Sequence, residues 1–219
     1  MVRLSRTAAK RGEGAARDGR TRPETRERLL EAATEVFAEK GYYAAAVDDI
    51  VQVSRTSKGS FYNFFPSKQE IFLALVDRLA DRLVSRIEQE IAAQTGALRK
   101  VDAALKAALD DLSKHRRIAR ILFIEAVGLG HAFNEKLFEI HSKFAGLIER
   151  YLKKAVEEGD IPAVDTQLAA FAWFGAINEV VVRWLYTGEP ADLQDALPAL
   201  RSLLLRSIGA HVDQEETPS

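Results

Sequence analysis

The chain contains no cysteine. Disulfide frameworks and thiol chemistry are therefore excluded, which suits a protein expected in a reducing cytoplasm. No uninterrupted apolar run approaches the roughly 18 residues of a membrane span, so no membrane association is expected. The basic N-terminus is not followed by an apolar h-region, and a secretory signal is not expected either. Histidines number only four. His131 and Glu135 lie four apart with His141 further along, but no close His/Cys/Asp cluster has ligand spacing, so neither a metal nor another cofactor is expected. Also missing are a P-loop, G-x-G-x-x-G, G-x-S-x-G and H-E-x-x-H, which argues against an enzyme. Short runs such as Val180-Val-Val182 apart, little suggests a strand.

What is present is helix after helix. The 219 residues are 47% hydrophobic, enough for a substantial core. Apolar residues recur at helical spacing over about 23–40, 46–53, 67–94, 97–113, 116–127, 131–158, 164–187 and 191–211, with glycine or proline between most of these spans. Pro23 is read as the first helical position of the first span, with Glu24 and Glu27 favouring the helix dipole and Gly41 as its stop. Ser67 and Glu70 match a capping box at the start of the fourth helix. Pro198 inside the last span predicts either a kink or the true start of that helix. The predicted class is all-α.

Charge is unevenly distributed. Residues 1–68 hold 13 Lys/Arg against 9 Asp/Glu, and residues 69–219 hold 18 against 23. A basic head on an acidic body fits a nucleic-acid-binding module joined to a part with another task. Three regions result: a flexible basic arm over 1–22, a helix-turn-helix head over 23–68, and a ligand-binding and dimerisation body over 69–219. The arm carries seven Lys/Arg among small and polar residues and reads as mobile in the free protein. It is either a segment that folds along DNA or a solvated tail.

The segment 45–68 is the most informative. Two short helices joined by a polar turn place Val47, Ile50, Val51, Phe61, Phe64 and Phe65 inward. The outer face of the second carries Ser57, Lys58, Gly59, Ser60, Tyr62 and Asn63, groups suited to phosphates and base edges. Tyr62 and Lys68, then Arg55 and Ser57, are the candidates for phosphate positioning, and Lys58, Ser60 and Asn63 for base readout. Gly59 lets the backbone approach DNA closely. Each has a plainer reading: Lys58 as a solvated charge, Ser57 as a cap only, Tyr62 as a core aromatic with a wet hydroxyl.

The residues Ile50, Ser57, Gly59, Ser60, Phe61, Tyr62, Phe65, Ser67 and Lys68, in the pattern I-x6-S-x-G-S-F-Y-x-x-F-x-S-K, resemble the TetR family of transcriptional regulators. The resemblance implies a homodimer that reads a palindromic double-stranded DNA operator, most commonly as a repressor, and is released by a small-molecule effector bound in the body. Two departures stand out. Ser54-Arg55-Thr56 occupies a turn where the family has Ala-Gly-Val, and Ala45 and Ala46 occupy positions where it has a capping Thr or Ser.

In the body, residues 164–187 are apolar on several sides. Phe171, Phe174, Asn178 and Val182 follow one stripe, and Trp173, Ile177, Val181 and Trp184 another, so one faces the subunit's own interior and the other a partner. This predicts homodimerisation through the last two helices, the alternative being that both stripes close a monomer core. Candidate effector-binding residues are Phe123, Phe138, Phe144, Phe171 and Phe174, with the polar Glu125, His141 and Asn178 among them. An apolar or amphipathic effector suits this set. The stretch Gly175–Trp184 resembles regulators of fatty-acid metabolism, which implies an acyl-CoA. A helical adaptor, or an enzyme with an unrecognised site, is the competing reading.

Overall fold

The structure is a computed structural model of one chain. It describes residues 15–125 and 129–210, with side chains from Arg22 onward. Every regular element among these residues is helical. Helix α1 spans Ala15–Ala44, α2 Val47–Ser54, α3 Lys58–Phe64, α4 Lys68–Ala92, α5 Ala97–Lys114, α6 Arg116–Arg120, α7 His131–Glu157, α8 Thr166–Thr187 and α9 Leu197–Ser207. A π-helical turn, Ile121–Glu125, continues α6, and a 3₁₀ turn, Leu193–Ala196, leads into α9.

Helix α1 begins eight residues earlier than expected, with Pro23 inside it. The arm is therefore helical from Ala15; its residues 1–14 lie outside the described residues. Pro23 thus occupies an interior position, where it removes one donor from the ladder and crowds the carbonyl one turn back, rather than the first position that its fixed φ favours. Gly41 ends the regular part of α1, at φ 73° and ψ 170°. Pro198 marks a true start: it lies in the first turn of α9, where its missing N–H is an orphan anyway.

The two departures in the head have local solutions. Ala46 has no side-chain cap to offer, and Asp49 reaches back instead, its Oδ2 accepting the Ala46 amide at 2.9 Å. Lys40 bonds the same carboxylate at 2.9 Å, and these two donors hold its pKa below the usual carboxylate range. Arg55 takes the left-handed conformation, at φ 53° and ψ 39°. Its N–H bonds Gln52 O, and the Thr56 N–H bonds Val51 O, the two bonds of a Schellman helix end. Buried Ser54 is satisfied there by Val51 O and the Thr56 hydroxyl. Arginine in this conformation carries strain that glycine does not. Arg55→Gly is expected to raise the unfolding free energy by about 1 kcal/mol, seen as a higher denaturant midpoint with unchanged slope.

Two apolar cores form. The first joins Leu29, Phe37, Ile50, Phe61 and Phe65 of the head to Ile71, Phe72, Leu75 and Val76 of α4. It also takes in Ile121 and Leu122 of the π turn and Phe133 and Leu137 of α7. Phe72 is its hub, with ring centres 5.0 Å from Phe37, 4.9 Å from Tyr42 and 5.7 Å from Phe133. Packing therefore does not change at residue 68: the first three turns of α4 belong to the head. The second core lies among α4, α5, α7, α8 and α9, around Leu83, Leu109, Leu152, Trp173, Val181, Trp184 and Leu205.

The long helices run as antiparallel neighbours, α4 beside α5 and α7 beside α8. On the solvent side α4 is tied to α7 by Asp77 and Asp81 with Lys143, the latter at 2.5 Å, and by Glu88 with Arg150 at 2.8 Å. By length and composition α8 is apolar enough to cross a membrane. It is instead packed on α7, with Ala170, Trp173, Val181, Trp184 and Leu185 buried in the second core.

Candidate nucleic-acid interface and effector cavity

Helix α3 has only seven residues, too few to persist without tertiary support. Phe61, fully buried, pins it to the first core, and Ser57 caps it by accepting the Ser60 amide at 3.0 Å. This pinning leaves Ser57, Lys58, Gly59, Tyr62 and Asn63 exposed on the outer face, with Ser60 half-buried beside them. Tyr62 keeps 47% of its surface in solvent while its ring meets Phe61 edge-on at 5.3 Å. A Cβ added to Gly59 would meet nothing nearer than Ser57 Oγ at 3.9 Å. The fold therefore has room for a side chain at 59, and the bare backbone matters only to something approaching from outside.

Lys58 is engaged within the head. Its ammonium lies 2.8 Å from Asp48 on α2, and this bond raises its pKa. It remains charged, and the exposed bridge is free to exchange one anionic partner for another. Arg55 is exposed beside it at the turn.

Lys68 departs further from its expected role. Its Nζ donates to Tyr42 O at 2.8 Å, Ala45 O at 2.9 Å and Tyr43 O at 3.4 Å, and sits 4.5 Å from the centre of the Tyr42 ring. All three ammonium donors are thus aimed at the junction of α1 and α2. Lys68 staples that junction to α4.

Three further groups stand nearby: Arg22 belongs to the expected basic arm, whereas Arg26 and Tyr43 had no place in the sequence-based expectation. The Arg22 and Arg26 guanidinium groups lie over the Phe64 and Phe65 rings, at 5.9 and 5.4 Å. They are exposed cations held at the flank of α3, and their four-residue spacing on α1 was the available signal. Tyr43, 78% exposed, stands beside the start of α2.

Within the body, α4, α5, α7, α8 and α9 enclose a cavity of about 130 Å³. Four of the candidate residues line it: Phe123, Phe144, Phe174 and Asn178. The other four do not. Phe138 and Phe171 point to solvent, at 73% and 55% exposure. His141 lies on the outer side of α7, its ring 4.9 Å from that of Phe174, and partial burial there lowers its pKa. Glu125 faces the head: it lies 3.5 Å from Arg120, and its carboxylate is 3.3 Å from where a Cβ on Gly41 would stand. Most of the cavity wall escaped notice, including Leu83 and Ile87 of α4 and Val101, Ala104 and Ala108 of α5. These residues read as ordinary amphipathic core.

The cavity adjoins the head. Phe123 on the π turn and Phe144 on α7 both line it, and both pack against the first core as well as the second. Among the described residues no group of three His/Cys/Asp/Glu has a metal-binding arrangement.

Family comparison agrees with this division of labour. The family model described as bacterial regulatory proteins, tetR family, matches residues 29–75, and that of the YsiA-like protein C-terminal region matches residues 76–207. The chain belongs to the TetR family of bacterial regulatory proteins. Such regulators are DNA-binding transcription factors that act as dimers under small-molecule control. Among relatives, the fatty acid metabolism regulator protein of Bacillus subtilis is 24% identical over 181 residues, covering 82% of this chain and 93% of its own. The transcriptional activator FasR of Mycolicibacterium smegmatis is 37% identical over 129 residues, 56% of this chain and 59% of its own. In fold, the TetR-family chain resembles B. subtilis FadR solved in complex with stearoyl-CoA, with a TM-score of 0.76 at 24% identity over 83% of this chain and 98% of that one.

Proposed function

We propose that the chain is a homodimeric repressor released from a palindromic operator by a long-chain acyl effector of the acyl-CoA type. The observation that carries the effector-linked part is the double membership of Phe123 and Phe144. A chain entering the cavity must displace or order these rings, and they bear directly on the head's core. The nearly uniform apolar wall suits hydrocarbon, the similar Bacillus subtilis regulator is one of fatty-acid metabolism, and the similar fold of B. subtilis FadR was solved in complex with stearoyl-CoA.

The two stripes of α8 support the dimer. Trp173, Val181 and Trp184 turn inward, while Leu168, Phe171 and Tyr186, with Leu203 of α9, stay exposed. Gly175 on the exposed side has nothing within 4 Å of an added Cβ, which allows a partner helix to come close. Positioning of DNA is assigned to Tyr62, Ser57, Arg55, Arg22 and Arg26, and base contact to Lys58, Ser60 and Asn63.

Ala108 lines the cavity from α5, and Ala108→Trp would fill it. In a gel-shift assay with the DNA upstream of the chain's own gene, operator affinity of this variant is expected to stay within about threefold of wild type. Release by palmitoyl-CoA is expected to be lost. Overpacking is expected to cost about 1–3 kcal/mol of stability, so a melting curve accompanies the assay. Wild-type protein that holds its operator regardless of palmitoyl-CoA would sink the effector reading. Tighter binding with palmitoyl-CoA would reverse the sign of the regulation.

A further inference from the structure

The cavity's charged groups are confined to one end. Because α4 and α5, and α7 and α8, run antiparallel, the last turns of α4 and α7 meet the first turn of α5 at the pole farthest from the head. Ile91, Leu98 and Ala155 form the wall there, and the charged lining residues Lys100, Lys154 and Glu158 lie beside them. Toward the head the lining is Leu112, Phe123 and Phe174, with Asn178 as the single amide and no charge. Lys154 lies 3.6 Å from Glu158. Lys100, half-exposed, has no ion-pair partner among the described residues. Of the other acids at this pole, Glu157 is exposed at the end of α7, Glu90 pairs with Arg86 at 3.1 Å, and Asp160 accepts the Ala97 amide at 3.1 Å.

Resting on the acyl-effector reading, we propose that Lys100 and Lys154 clamp the anionic end of the effector at this distal mouth, with the hydrocarbon running inward toward Phe123. An anion placed at the other end would be stripped of water among aromatic rings with one neutral amide as its partner, which is strongly unfavourable. At the mouth it keeps part of its hydration and gains charge-assisted bonds from two ammonium groups. Glu158 is the competitor: it holds Lys154 when the mouth is empty and opposes an incoming anion. The clamp thereby fixes direction. The polar end faces away from the DNA, and the chain terminus meets the rings shared with the head.

Trp173 lines the cavity, so its fluorescence reports binding to the full chain. Three probes separate the sources of charge: palmitoyl-CoA, palmitate and the neutral hexadecanol. Lys100→Glu with Lys154→Glu is expected to weaken palmitoyl-CoA roughly tenfold or more and to leave hexadecanol within about twofold. Glu158→Gln is expected to tighten the anionic probes alone. A loss shared by palmitate shows that the clamp takes an anion of either kind at the end of the chain; a loss confined to palmitoyl-CoA assigns it to phosphates. Unchanged binding of both anions to the double variant, or an equal loss for hexadecanol, overturns the clamp while leaving the effector reading intact. If the wild-type protein binds none of the three, the effector reading fails and the clamp fails with it.

Discussion

Gly59→Glu is expected to abolish operator binding while leaving the head as stable as before, or more so. The two effects have opposite signs because they arise on opposite sides of α3. Inside, a Cβ at 59 meets only Ser57 Oγ at an ordinary contact distance. Glycine within a helix is disfavoured by about 0.5–1 kcal/mol relative to a good helix former, so the substitution is neutral or stabilising for folding. Outside, the same side chain stands on the face between Lys58 and Asn63. A helix seated in a groove has no room for a four-atom projection, and a carboxylate there faces phosphates. A loss of about 3 kcal/mol or more, over a hundredfold in affinity, is expected, comparable with one or two mismatched base pairs. Melting curves and operator titrations on one preparation check both halves. A variant that still bound its operator within tenfold would remove α3 from the groove.

Lys68→Met is expected to act the other way, on the fold first and on DNA second. Methionine retains most of the stem and removes the ammonium that bridges the carbonyls of Tyr42, Tyr43 and Ala45. Hydrogen bonds to a charged group contribute about 1.5–3 kcal/mol each, and Lys68 is only partly buried, so a net loss of about 3 kcal/mol is expected. Arginine is a poor substitute, because a planar fork does not reproduce three donors converging from one nitrogen. The salt dependence separates this role from a phosphate contact. A staple leaves the slope of log affinity against log salt unchanged in the fraction that folds, whereas a lost phosphate contact flattens it by nearly one.

The head was legible in the sequence because its spacing is short and its roles are local. Ser57 as cap, Phe61 as anchor and an outer polar face all follow from residue type and a period of 3.6. What escaped was reciprocity. Asp49 stands at capping-box spacing from Ala46, a local signal that the missing Ser or Thr at 46 obscured, and nothing local marks Lys68 as turned inward across 23 to 26 residues of chain. The body was less legible for a different reason. On α8, apolar nearly all round, sequence gives two stripes but not which one faces a neighbour; Phe171 turned out exposed and Trp173 buried. The cavity was missed on its α4 and α5 walls because a cavity is an absence of filling, and the residues around it are those that would fill a solid core.

The π turn at Ile121–Glu125 bonds each residue to one further along than an α-helix does, so it holds a surplus residue. Tightening it to ordinary α geometry would change the winding of the chain beyond α6 by one residue, roughly 100° of rotation and 1.5 Å of rise. Ile121 and Leu122 sit in one core and Phe123 on the wall of the other. That rotation would shift all three side chains together, so the surplus residue ties the packing of one core to the filling of the other.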